Sequence, residues 1–173
     1  MKKSLIALCL VAGCGASDPE GGNGAAALAN GAAPAGPTPV AQAVRTSELT
    51  GLWEGGRTQQ QQRDQMCIID RGTGDVRFGI VMWGDNLHSC SGSGSVVREG
   101  STLRLTMEGD EACAIDARIE GETVTLPATL PAGCAYYCGA RARFDGGTLT
   151  RTGTTAADAM KATDLAGDPL CGG

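Results

Sequence analysis

The stretch LRLTMEGDEACAIDARIEGETVTLP, residues 103–127, alternates apolar and polar side chains in three runs separated by glycine. Leu103, Leu105 and Met107 share one parity, with Arg104, Thr106 and Glu108 on the other. Ile115, Ala117 and Ile119 stand against Asp116, Arg118 and Glu120, and Val124 and Leu126 against Thr123 and Thr125. Successive side chains of an extended chain point to opposite faces, so a period of two marks strands with one face buried and one in water. The breaks, EGDE and EGE, supply the turn residues of antiparallel hairpins.

Working outward, the pattern repeats. In VRFGIVMW, residues 76–83, Val76, Phe78, Ile80 and Met82 fall on one face. RGTGD, WGDN, REGS and DGG add breaks about every 10–15 residues. About seven to nine strands are expected over residues 47–173, enough to close into a small antiparallel β-barrel or stack into a sandwich. This all-β body is one domain. A short C-terminal helix is expected in TTAADAMKATDLAGDP, residues 154–169. Thr155 would cap it, Asp158 would sit three residues on, Gly167 would stop it and Pro169 would prevent its resumption.

The chain has eight cysteines, many for a reduced cytosol and ordinary for an oxidising compartment. Setting aside Cys9 and Cys14 leaves Cys67, Cys90, Cys113, Cys134, Cys138 and Cys171, an even set expected to form three disulfides. With two each of Trp, Tyr and Phe, the core is thin, and bridges contributing typically about 2–4 kcal/mol each would offset that. Cys171 is expected to staple the C-terminal tail back onto the body. Cys134 and Cys138 would lie about 13 Å apart on one straight strand, so they should have different partners unless a turn intervenes. Cys134, Cys138, His88 and Cys90 also form a possible zinc set, but an oxidising compartment favours bridges, so no metal and no cofactor is expected.

The front end has its own order. Lys2 and Lys3 precede an apolar run, LIALCLV (residues 5–11), and then small residues, as in a secretory signal. Such a run makes a helix of about 10 Å, a third of a bilayer's hydrocarbon thickness. Residues 11–14, VAGC, resemble the lipobox of bacterial lipoproteins, with Val11, Ala12 and Gly13 leading to Cys14. The resemblance implies cleavage after residue 13, a diacylglycerol thioether on Cys14 and acylation of its new amino group. It makes residues 1–13 the signal peptide. Because Gly15 rather than Asp follows, it also implies sorting to the outer membrane. Two or three acyl chains, at about 0.8 kcal/mol per buried methylene, hold a protein to the bilayer essentially permanently.

Residues 14–46 continue from this lipidated end as an Ala/Gly/Pro tether without hydrophobic period, spanning about 30 Å on average as a flexible chain. The net charge is −5, and without residues 1–13 it is −7, from 12 basic against 19 acidic residues. That sign gives no footprint for nucleic acid or for anionic lipid, so membrane association rests on the anchor at Cys14.

No catalytic set is complete. His88, the only histidine, adjoins Ser89 in HSCSGSGS, where an extended chain points neighbouring side chains apart, and no nucleophile elbow is present. The run instead suggests a Gly/Ser-rich strand near a bulge. Gly51-Leu52-Trp53-Glu54 resembles the G-x-W that opens the first strand of lipocalins; the likeness implies an apolar cavity, which Tyr136 and Tyr137 would line unless they simply flank the cysteines, whereas Trp53 as a plug of one barrel end explains the same motif without a cavity. The lipoprotein pattern with a small disulfide-bearing barrel is also similar to lysozyme inhibitors, which use a serine motif and a lysine. Here SGSGSV is present but the lysine of the domain, Lys161, falls in the expected helix. The expectation is therefore an outer-membrane lipoprotein facing the periplasm, non-enzymatic, with a binding or scaffolding role toward an unidentified protein or small ligand. Lipocalin-like carriage of a small apolar ligand and inhibition of a cell-wall hydrolase are the alternatives.

Overall fold

Residue parity becomes the inside and outside of a barrel. The structure, a computed structural model, describes residues 46–57, 61–72 and 74–172. Cys14, the signal segment of residues 1–13 and the tether as far as residue 45 lie outside the described residues. A 3-10 turn at Thr46–Leu49 leads into β1 (Gly51–Arg57), β2 (Arg63–Asp70), β3 (Val76–Trp83), β4 (Ser89–Glu99), β5 (Thr102–Met107), β6 (Asp110–Glu120), β7 (Thr123–Thr125) and β8 (Thr148–Gly153). Each strand pairs antiparallel with the next, and β8 returns to β1 to close the sheet. Closure removes the edges that would otherwise template aggregation. Between barrel and sandwich, the chain is an eight-stranded barrel.

The inward residues are those of the apolar parity. Phe78, Ile80, Leu103, Leu105, Ile115 and Val124 are buried in one core. Trp53 and Leu49 close one end, with Trp53 beneath the Arg151 guanidinium at 5.5 Å from ring centroid to Cζ. Arg151 also donates through Nη2 to the Thr50 carbonyl at 2.6 Å, tying β8 to the entry of β1. In β4 the inward residues are Cys90, Gly92, Gly94 and Val96, and Ser89, Ser91, Ser93 and Ser95 point out. A Cβ on Gly92 would lie 2.7 Å from Met107 Sδ and 3.2 Å from Tyr137 Cδ1, so the space left by glycine is filled from across the barrel. The bulge expected near this run is absent: β4 keeps continuous register with both neighbours, and the register shifts fall in β1 and at the β5–β6 pair.

The barrel is also covered on part of its outside. Leu52 and Cys67 face outward from β1 and β2 and form a second buried cluster with Ala159, Ala162 and Cys171, with Ile69 and Leu170 packed against it. The tail is locked there by the Cys67–Cys171 bridge. At Gly79, on the outer face of β3, a Cβ would meet Leu170 at 2.6–2.7 Å, so only glycine lets the tail lie flush.

The helix expected over residues 154–169 is one turn, α1 (Ala156–Ala159). Its start is as expected: Thr155 and Asp158 form a reciprocal capping box, and Lys161 with the Thr155 hydroxyl lowers the Asp158 carboxyl to about 2. Its end is not at Gly167. The chain turns back after Ala159, pairs Thr163 with Pro169 and donates from Leu170 N–H to the Ala162 carbonyl at 2.9 Å. Burial of Ala162 and the reach of Cys171 to Cys67 take precedence over helix continuation. Lys161 lies just past the helix, in an ion pair with Asp158 at 2.6 Å.

Candidate functional site

The connection from β7 to β8, residues 126–147, contains no strand. Connections of this length between neighbouring strands of a small domain are uncommon and often functional. This one folds over the barrel end opposite Trp53 and is fastened there twice, by Cys113–Cys134 to the start of β6 and by Cys90–Cys138 to the start of β4. Between the two cysteines runs a 3-10 turn, Ala132–Tyr137. Cys134 and Cys138 therefore sit on a turn rather than a strand, and they still take different partners. Of the groups weighed as a zinc set, Cys90, Cys134 and Cys138 are held in these two bridges, and His88 belongs to neither.

The two tyrosines of this turn go opposite ways. Tyr137 packs against the barrel core and donates from its hydroxyl to Asp110 Oδ2 at 3.2 Å; burial and that carboxylate both push its phenol up. Tyr136 is 90% exposed. Beside it the connection folds around an apolar cleft of about 520 Å³, floored by Phe144 and walled by Leu130, Pro131, Ala135 and Ala142, with Arg143 and Asp145 at its rim. Arg143 reaches Asp145 at 3.7 Å.

The β3–β4 hairpin turn adjoins this cap. Asn86 and Leu87 both have positive φ, 54° and 62°, and the His88 N–H closes the turn on the Asp85 carbonyl at 3.2 Å, the pattern of a type I′ turn. Asn tolerates that conformation. Leucine in the position usually held by glycine costs about 1–2 kcal/mol, and Leu87 is 54% exposed, so packing does not compensate.

At the start of β2, Asp64 Oδ1 accepts the Trp83 backbone N–H at 2.7 Å. Burial raises its carboxyl above the ordinary 3.8, and the Trp83 N–H offsets this only in part. A raised carboxyl favours the folded state at low pH and loses that advantage as pH rises through its folded value. Asp64→Asn keeps an acceptor for Trp83 and removes the disfavoured charge. Its melting temperature should exceed the wild type's at pH 7, with the gain vanishing below pH 3.8, where both proteins carry a neutral group. Equal melting at pH 7 would show that the charge is not penalised by the fold.

His88 lies against Gly139, where a Cβ would stand 3.0 Å from His88 Nδ1, and among the described residues its side chain meets no serine hydroxyl or carboxylate. The outward serines of β4 do not converge on it. Trp53 lies in the core at the far end. Sequence reasoning singled out the cysteines and tyrosines of the cap but missed Leu87, Leu130, Arg141 and Arg143. The legible signal for the cleft was PATLPAGC, an apolar run with two prolines and no strand period; nothing local marks Leu87 as a positive-φ residue. No protein-family model, no curated protein and no solved structure matches the chain.

Proposed function

We propose that this protein is a bacterial envelope lipoprotein, acylated at Cys14, anchored in the outer membrane and facing the periplasm, with a non-enzymatic binding role exercised through the cap of its barrel. The observation that carries the binding role is Tyr136, 90% exposed on a turn braced by two disulfides, beside an apolar cleft of about 520 Å³. Rigid exposed aromatics next to apolar pockets are what protein interfaces use as anchors, because little conformational freedom is lost on binding. The lipobox at residues 11–14 supports the anchor, and three cysteine pairs suit an oxidising compartment.

A carrier of lipocalin type draws support from the eight-stranded up-and-down barrel and from Trp53 at its closed end. It would need an interior cavity, yet the inward side chains Met66, Phe78, Leu105 and Met107 are at most 1% exposed and meet across the barrel. The braced, exposed turn favours instead the reading as inhibitor of a cell-wall hydrolase. The test of the binding role is capture from envelope extract by the full-length protein and by Tyr136→Ala. The variant should retain less than about a tenth of the partner captured by the wild type, a cost of about 1.4 kcal/mol or more. Identical capture by both removes the cap from the binding role. Residual lysozyme activity in the same preparations tests inhibition; unchanged lysis ends that form of the reading.

A further inference from the structure

The β3–β4 turn and the cap form one continuous surface. The Asp85 N–H donates to the Arg141 carbonyl at 3.3 Å, and the Gly139 N–H donates to the Ser89 carbonyl at 2.8 Å. At Gly84 a Cβ would lie 2.0 Å from the Arg141 carbonyl oxygen, so turn and cap are pressed together. Three side chains on this surface do nothing to hold the fold. Leu87 is exposed although its backbone would relax as glycine. Tyr136 projects into water. Arg141 is exposed, and among the described residues its guanidinium has no hydrogen-bond or ion-pair partner. Arg141 stands between Ala140 and Ala142, which line the cleft, so its unpartnered charge lies at the cleft's edge. Such a charge favours a carboxylate at that spot.

We infer that this end of the barrel binds a peptide segment of another protein in which an aliphatic side chain enters the cleft and a neighbouring carboxylate meets Arg141, the arginine of this surface that Asp145 does not already pair. The inference rests on the binding role proposed above and names the partner's chemistry. The small lining residues Ala135 and Ala142 with Leu130 fit an aliphatic side chain. In this arrangement Leu87 and Tyr136, both exposed on the same surface, supply further apolar contact to the segment. A bilayer surface would leave the concave cleft unfilled, and the acidic body is repelled by anionic headgroups.

The test is fluorescence anisotropy of the full-length protein with a labelled Ala-Leu-Ala-Glu-Glu peptide, against Ala-Leu-Ala-Lys-Lys and Ala-Ser-Ala-Glu-Glu. The acidic leucine peptide should bind about tenfold tighter than either comparison, and Arg141→Glu should weaken it about tenfold. Leu87→Gly should melt at a higher temperature than the wild type and yet bind more weakly by about threefold or more, a pairing that a purely structural leucine does not produce. Equal binding of the lysine peptide overturns the inference. So does Leu87→Gly with unchanged affinity, preference for phosphatidylglycerol vesicles over the peptide, or self-association of the protein that excludes it. If Tyr136→Ala loses its envelope partner while none of the peptides binds, the binding role stands and the acidic-peptide assignment falls.

Discussion

Gly51→Ala is expected to unfold the protein or to cost it about 3 kcal/mol or more, out of a total that for such domains is about 5–15 kcal/mol. The Cβ added at Gly51 would lie 2.1 Å from the Gly153 carbonyl oxygen and 3.2 Å from Arg151 Nε. Both neighbours belong to β8, and the β1–β8 pair is the seam that closes the barrel. Relief requires the two strands to separate, and their separation breaks the Arg151 bond to the Thr50 carbonyl and lifts the guanidinium off Trp53. It also exposes two strand edges to other chains, so loss of solubility should accompany loss of stability. Gly56→Ala, in the same strand, is the control. Its Cβ would meet nothing within 4 Å, and the change should stay within about 0.5 kcal/mol. Thermal unfolding of the two variants side by side decides the matter. A Gly51→Ala protein melting with the wild type would mean that the seam does not close as described.

The second large effect is expected on removing the Cys67–Cys171 bridge. This bridge joins residues 104 apart and fixes the C-terminal tail to the outside of the barrel. Its loss in Cys67→Ala/Cys171→Ala should lower stability by about 2–4 kcal/mol through the freedom restored to the unfolded chain. The structural consequence is local. The cluster under the tail, Leu52, Cys67, Ala159, Ala162 and Cys171, is separate from the barrel core, so the tail should loosen while the barrel stays closed. Limited proteolysis read by intact mass should show cleavage after residue 153 in the variant and none in the wild type. The loosened variant should also bind an apolar dye on the uncovered faces of β1 and β2. Equal protection of the tail in both proteins would assign its hold to apolar packing alone.

Much of this architecture was legible in local pattern. Period-two alternation in residues 103–126 and 76–82 identified the inward residues, and each named glycine break lies at a strand end. The capping box at Thr155 and Asp158 was legible for the same reason: it is an interaction between residues three apart. The helix end was not, because Ala162 and Cys171 answer to β2, about a hundred residues away. In β3 a signal was present but incomplete. Gly79 and Val81 interrupt the polar parity, as a strand buried on both faces requires, yet nothing nearby says what covers the second face.

The candidate site was legible only in fragments. The Cys-Ala-Tyr-Tyr-Cys run announced a cross-linked segment, but adjacent tyrosines in sequence carry no indication that Tyr137 packs inward and Tyr136 outward. That division follows from the two different strands to which Cys134 and Cys138 are bonded. Arg141 was one charge among many until the cap placed it beside the hairpin turn.

The sequence by itself determined the strands β3, β5, β6 and β7 with their facing, the turns between them and the even set of six cysteines of the body, because each depends on residues within a few positions of one another. Closure of β1 on β8, the pairing of the cysteines, the covering of the outer face by the tail, and the meeting of Leu87, Tyr136 and Arg141 at one end were decided only in three dimensions. They depend on contacts between residues far apart in the chain, where backbone approach and filled volume, rather than residue type, select among the possible arrangements.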